Sequence, residues 1–224
     1  MQKLAVPIAI VVAGGLIAAA LYFVGGGQPA TTNTNTVAEE IRGVQADDHV
    51  RGNPNADIVV VEYSDTECPF CKNFHQTMHQ LISEYGVDGN VAWVYRHFPL
   101  TQLHSKAAKE AEALECAAEL GGEDAFWKYT DRIYEITPSN DGLDASQLPE
   151  IAAFAGLDVE AFNSCLESGE MQTRVQEDFD EVVAAGGRGT PHNIIIVDGE
   201  QIPVEGAQPY EVMKGLIDTL LADL

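Results

Sequence analysis

A chain of 224 residues, 46% of them apolar, has material for one good-sized domain, or for one domain with an insertion. Its 35 acidic residues against 12 basic ones leave a formal net charge of −23, which argues against nucleic acid or an anionic lipid surface as the main partner. Solubility or a salty medium accounts for such a charge more readily than a specific basic partner does.

Residues 4–24 carry no charge. As a helix rising ~1.5 Å per residue they would span about 31 Å, close to the ~30 Å of a bilayer core. A cleaved signal peptide has an apolar core of about 7–15 residues, and Ala18-Ala19-Ala20 would suit its end, but Leu21 to Val24 prolong the apolar run. The expectation is therefore an uncleaved single N-terminal transmembrane helix over 1–24. With Lys3 and the α-amino group before it and nothing basic until Arg42, it would leave everything downstream outside the cytoplasm. Disulfides persist there, and the four cysteines allow about three pairings.

Residues 25–43 read as a flexible linker, small and polar at first and without apolar periodicity. Globular composition starts near Val44, and residues 47–55 are turn-rich. Residues 57–63, rich in consecutive β-branched side chains, predict a central strand covered on both faces. Cys68-Pro69-Phe70-Cys71 follows, and then an amphipathic helix with Phe74, Met78, Leu81, Ile82 and Tyr85 on one face. Residues 91–97 predict a second strand, which makes a βαβ unit. Between about 102 and 186 only helical segments occur, broken at Gly121-Gly122, Pro138, Gly156 and Gly169. Strands return at 193–197 and 201–204 around the hairpin signal Asp198-Gly199. Pro209 opens a last helix with Val212, Met213, Leu216, Ile217, Leu220 and Leu221 on one face.

Two thiols separated by two residues at a strand-to-helix junction are a redox signature in an α/β setting, whereas zinc ribbons use the same spacing elsewhere. At a helix N-terminus, free N–H groups and the macrodipole favour a thiolate on Cys68. Glu62 near the end of the preceding strand is either solvated or buried beneath the thiols, where burial would raise its pKa and let it relay a proton.

The element order, the Cys-x-x-Cys opening the first helix, Gly189-Thr190-Pro191 before the third strand and the helical insertion together resemble the thioredoxin fold of the DsbA-type thiol–disulfide oxidoreductases. The likeness covers roughly residues 45–224. It implies an α/β thioredoxin fold with an inserted helical subdomain in a domain spanning 44–224. It also implies Cys68 as exposed nucleophile, Cys71 as buried resolving thiol, Pro191 as a cis-proline against the disulfide, and Thr190 lending its backbone to a bound peptide. Phe70 departs from the strongly oxidising relatives that carry His there, since it offers the Cys68 thiolate neither a hydrogen bond nor a positive charge. That leaves the direction of electron flow open.

Cys116 and Cys165 lie on separate helices of the insertion. Some members of the resembled family carry a second bridge, and a structural disulfide is preferred here over two buried thiols or a redox relay. His75 makes a Cys-x-x-Cys-x-x-x-His spacing conceivable for copper or zinc, but a surface helix position is expected for both His75 and His79, and no metal or organic cofactor is expected. His192 either approaches the site or sits at a strand edge. The resulting expectation is a membrane-anchored, monomeric enzyme with its catalytic domain outside the cytoplasm. It would oxidise cysteines of exported proteins and be reoxidised by a DsbB-like or vitamin K epoxide reductase-like membrane partner. The same chemistry run as a reductase or isomerase is the nearest alternative. A tethered metal-binding or structural module is a remoter one.

Overall fold

A computed structural model of the protein describes residues 39–224. The segment 4–24, expected to cross a membrane, lies outside them. Among the described residues no helix is long and apolar enough to do so.

Five strands form one sheet: β1 (His49–Arg51), β2 (Ile58–Ser64), β3 (Val91–His97), β4 (His192–Val197) and β5 (Glu200–Glu205), in the order β1-β3-β2-β4-β5. β2 lies at the centre, parallel to β3 and antiparallel to β4, and all seven of its residues are buried. That environment accounts for its run Ile58-Val59-Val60-Val61, since neither face of the strand meets water. β1 is an added antiparallel edge strand, three residues long, in the stretch that reads as turns in the sequence.

Side chains alternate across a strand, so Ile58, Val60 and Glu62 share one face of β2, and Val59, Val61 and Tyr63 the other. On the first face, the apolar residues pack with Phe74, Met78 and Leu81 of α1 (Pro69–Tyr85) and with Met213 and Ile217 of α6 (Tyr210–Asp223). Val212 of α6 faces solvent instead of joining the apolar stripe expected of it. The second face carries Val182 and Phe179 of α5 (Gln172–Ala184) together with Ile41 and Val44. Ile41 is buried and its N–H donates to Gln201, so ordered packing begins before residue 44.

Between β3 and β4 stand α2 (Ala107–Ile136), α3 (Gln147–Ala155) and α4 (Val159–Ser168), followed by α5. α2 bends at the Gly121-Gly122 pair, where Gly122 takes φ +68°, a left-handed conformation that glycine adopts without steric cost. Tyr129, Ile133, Ile151 and Phe162 join this subdomain to the same core as α1. Cys116 of α2 and Cys165 of α4 form a disulfide, with Cα atoms 5.9 Å apart. On the α5 face, fully buried Arg96 grips Asp48 through two hydrogen bonds of 2.8 and 2.7 Å and also reaches Glu181.

Candidate active site

The loop from β2 to α1 is held on both sides. One Asp65 carboxylate oxygen accepts the Glu67 N–H at 2.8 Å, and the other accepts the Leu100 N–H and His104 Nδ1 at 2.8 and 2.9 Å. The Asp65 carbonyl accepts the Cys68 N–H at 3.1 Å. Glu67, itself fully buried, receives the backbone N–H groups of Gly142 and Leu143 with its carboxylate and that of Asn140 with its carbonyl, which ties the loop to the helical subdomain. Cys68 is thereby fixed as the N-cap of α1, with Pro69 in the first turn, where its missing N–H costs nothing.

The two thiols are free and both are buried: Cys68, expected to be exposed, keeps only 4% of its surface because the cis-Pro loop packs over it, and Cys71 keeps none. Cys68 Sγ lies 3.5 Å from the Thr190 carbonyl oxygen, and the peptide bond from Thr190 to Pro191 is cis. A groove of about 840 Å³, lined among others by Arg188, Thr190, Pro191, His192 and Glu205, starts at this contact. Hydrogen bonding from the Cys71 thiol outweighs burial and, with the Cys71 and Phe70 N–H groups and a Thr190 hydroxyl that is near without a well-aligned hydrogen bond, brings the Cys68 pKa down to about 6. Cys71 has no exposed surface; burial first, and the neighbouring Cys68 second, push its thiol well above the ordinary range. The negative charge of the dithiol therefore resides on Cys68, against the Thr190 wall of the groove.

Glu62 lies sealed inside, on the face of β2 that α1 covers. Ser64 donates to one carboxylate oxygen at 2.7 Å, and Ser64, Tyr134 and Tyr95 continue as a hydroxyl chain with steps of 2.8 and 3.1 Å. The second Glu62 oxygen has no partner. Burial raises the Glu62 pKa to about 8, against the Ser64 bond and the Trp93 indole N–H, which is near enough to help without a well-aligned hydrogen bond. A charge on Glu62 in turn raises Cys71, so the two compete for the same proton. Of the two environments open to Glu62 on sequence grounds, the structure has the buried one.

Thus Cys68, Cys71, Glu62, Thr190 and Pro191 converge on one place. Cys116 and Cys165 are bonded to each other within the subdomain and do not belong to the dithiol. His192 lines the groove, with its Nε2 buried and unpartnered and its pKa lowered by burial. His75 departs from expectation: it is buried, and only His79 has substantial exposure. Sequence reasoning also missed the polar shell beneath Cys68. There Thr66 donates to buried Glu110 at 2.6 Å, and burial together with nearby Glu67 raises Glu110 to about 8. No short-range motif marks these pairings, because Glu67 and Glu110 meet only once the subdomain folds back.

A thioredoxin family model matches residues 45–219. The chain belongs to the thioredoxin family. Among solved structures, DsbA2 of Pseudomonas aeruginosa is 28% identical with a TM-score of 0.67, over 82% of this chain and 99% of that one. Oxidised BdbD of Bacillus subtilis shares the fold at 21% identity and TM-score 0.67, over 82% of this chain and all of that one. With that fold and its paired thiols, the protein is a thiol:disulfide oxidoreductase. Among curated proteins, one named Na(+)/H(+) antiporter NhaA 1, from Mycolicibacterium gilvum, is 35% identical over 156 residues, 69% of this chain and 24% of the relative. An NhaA 3 from Salinispora tropica is 36% identical over 144 residues, 64% of this chain and 21% of the relative. The chain spans about a quarter of the length of these relatives, and the likeness is confined to the thioredoxin-family part.

Proposed function

We propose that the protein oxidises cysteine pairs in exported proteins through a Cys68–Cys71 disulfide. A substrate thiolate attacks Cys68 Sγ, the Cys68–Cys71 bond breaks, and a mixed disulfide forms between substrate and Cys68. Cys71 leaves as a thiolate and takes a proton from Glu62, which burial keeps protonated at neutral pH. A second substrate thiolate attacks the substrate sulfur of the mixed disulfide, and Cys68 leaves. Two electrons pass from the substrate pair to the enzyme, now a dithiol. A membrane-bound oxidant of the DsbB or vitamin K epoxide reductase type takes them up again. The Thr190 backbone beside Cys68, with Pro191 behind it, lends its polar groups to the extended substrate chain.

The observation that carries this reading is the asymmetry of the thiols: Cys68 stabilised as a thiolate at the groove, Cys71 buried and held neutral. A good leaving group at the less deeply buried of the two positions favours handing the disulfide to the substrate. Location rests on the apolar segment 4–24, taken as an uncleaved anchor. The likeness to part of proteins named for an ion antiporter agrees with work beside a membrane. The decisive test is oxidative refolding of a reduced substrate by full-length protein: Cys68→Ala is expected to abolish catalysis, and undiminished activity would overturn the assignment.

One observation favours a reductase as the second reading. Phe70 is 63% exposed and brings no side-chain donor to Cys68, so the thiolate depends on Cys71, Thr190 and backbone groups alone.

A further inference from the structure

One helical turn after Cys71, α1 carries His75 and, a turn further on, His79, while α2 brings Asp131 against them. His75 Nε2 and His79 Nε2 each lie 2.9 Å from the same Asp131 oxygen and 3.2 Å from one another. We propose that His75 Nε2, His79 Nε2 and Asp131 Oδ1 form a binding site for a divalent transition-metal ion of the Zn²⁺ type, separate from the redox pair.

Hydrogen bonding alone serves this cluster poorly. Two imidazole nitrogens aimed at one oxygen and at each other cannot all be matched as donor and acceptor, whereas a single cation engages all three lone pairs. The dimensions fit such an ion. A triangle with sides of 2.9, 2.9 and 3.2 Å has a circumradius of about 1.7 Å, so an ion ~2.05 Å from each corner stands roughly 1.1 Å above its plane. The ligand–metal–ligand angles are then about 90°, 90° and 103°, between octahedral and tetrahedral values, with further positions open. Two imidazoles and one carboxylate suit Zn²⁺ or Cu²⁺ better than Mg²⁺ or Ca²⁺.

The surroundings supply some further features of such a site, with His75 Nδ1 left buried and unpartnered. His75 is fixed by the rings of Tyr134 and Trp93, at centroid distances of 4.5 and 5.0 Å. Arg51, stacked over Trp127 at 4.3 Å, donates to the far Asp131 oxygen at 2.8 Å and holds the carboxylate in place in the metal-free protein. A groove of about 460 Å³ bordered by Gln76, His79, Gln80 and Glu84 gives an ion a way in from solvent. Arg51 also sets a limit. Its other nitrogen lies 2.8 Å from His79 Nε2 and must swing aside, so the ion displaces a resident cation and binds with moderate affinity.

The test is calorimetric titration of ZnCl₂ into chelator-stripped full-length protein held in the Cys68–Cys71 disulfide form, so that no thiol offers a competing site. One ion per chain is expected, with affinity reduced at least tenfold in His79→Ala and, independently, in Asp131→Asn. Both residues are part-exposed, and circular dichroism of each variant verifies its fold. Co²⁺ as probe should give visible d–d bands without the near-ultraviolet charge transfer of thiolate ligation. Absence of binding up to millimolar Zn²⁺, equal binding by wild type and both variants, or a thiolate band in the Co²⁺ spectrum would overturn the site.

Discussion

If the charge on Cys68 is held chiefly by the Cys71 thiol, the substitution Cys71→Ala must release it. A hydrogen bond to a charged group contributes about 1.5–3 kcal/mol, and one pKa unit corresponds to ~1.36 kcal/mol, so losing that donor raises the titration midpoint by roughly 1–2 units. From about 6 in the native dithiol, Cys68 should move to about 7–8. At pH 7 the thiolate fraction then drops from ~0.9 to between about 0.5 and 0.1. Thr190 and the Cys71 and Phe70 N–H groups remain and keep the midpoint below the ordinary value of 9.0. The assay is thiolate absorbance against pH in the reduced protein. It is checked by pH-dependent alkylation, which in the variant reports Cys68 alone because Cys116 and Cys165 are bonded to each other. A variant midpoint still near 6 would show that the helix N-terminus and Thr190 carry the charge without Cys71. A native midpoint near 9 would refute the electrostatic account of the site altogether.

Replacing Glu62 with Gln should slow proton delivery to Cys71, lowering the rate of exchange at pH 7 by about a hundredfold or more in stopped-flow assays; an unchanged rate would remove Glu62 from the mechanism. The same residue gives a stability test. Its folded pKa of about 8 exceeds the ordinary 4.5, so between those values the folded chain holds a proton the unfolded chain has lost, and stability falls as pH rises through that window. Thermal denaturation should therefore show Glu62→Gln gaining on wild type between about pH 5 and pH 8. Removing the Cys116–Cys165 bridge by double alanine substitution should cost about 4 kcal/mol on the chain-entropy model for a separation of 49 residues, measured by urea unfolding, while leaving exchange at Cys68 in place. Arg96→Met leaves Asp48 buried without its main partner and should destabilise by about 3 kcal/mol or more in the same assay.

How much of this was legible in the sequence depends on the range of the interaction. The central strand announced itself through Ile58 to Val61, because burial on both faces selects consecutive β-branched residues. The Gly121-Gly122 break in α2 and the Cys-x-x-Cys at a helix start were equally local signals. β1 was not legible, since three residues in a turn-rich stretch carry no periodicity and form a strand only by pairing with β3. The Arg96–Asp48 and Thr66–Glu110 contacts join residues 48 and 44 positions apart, which no spacing rule reveals. His75 is a different case. It stands four residues after Cys71 and beside Phe74 on the stripe that Met78 and Leu81 continue, a position that helical periodicity assigns to the inside although the expectation was the surface. Its polar ring suggested the surface, and periodicity was the better guide.

The claim that the site is built to oxidise is tested most directly by equilibrating the full-length protein with glutathione redox buffers and measuring the Cys68–Cys71 potential. A lower nucleophile pKa stabilises the dithiol and makes the disulfide more oxidising. Thioredoxin, with a thiol near ~7 and a potential of about −270 mV, and DsbA, near ~3.5 and about −120 mV, bracket the relation. Interpolating to a Cys68 pKa of about 6 predicts a potential near −230 mV, more oxidising than thioredoxin and less so than DsbA. A value at or below about −270 mV would contradict the account and turn the enzyme toward reduction.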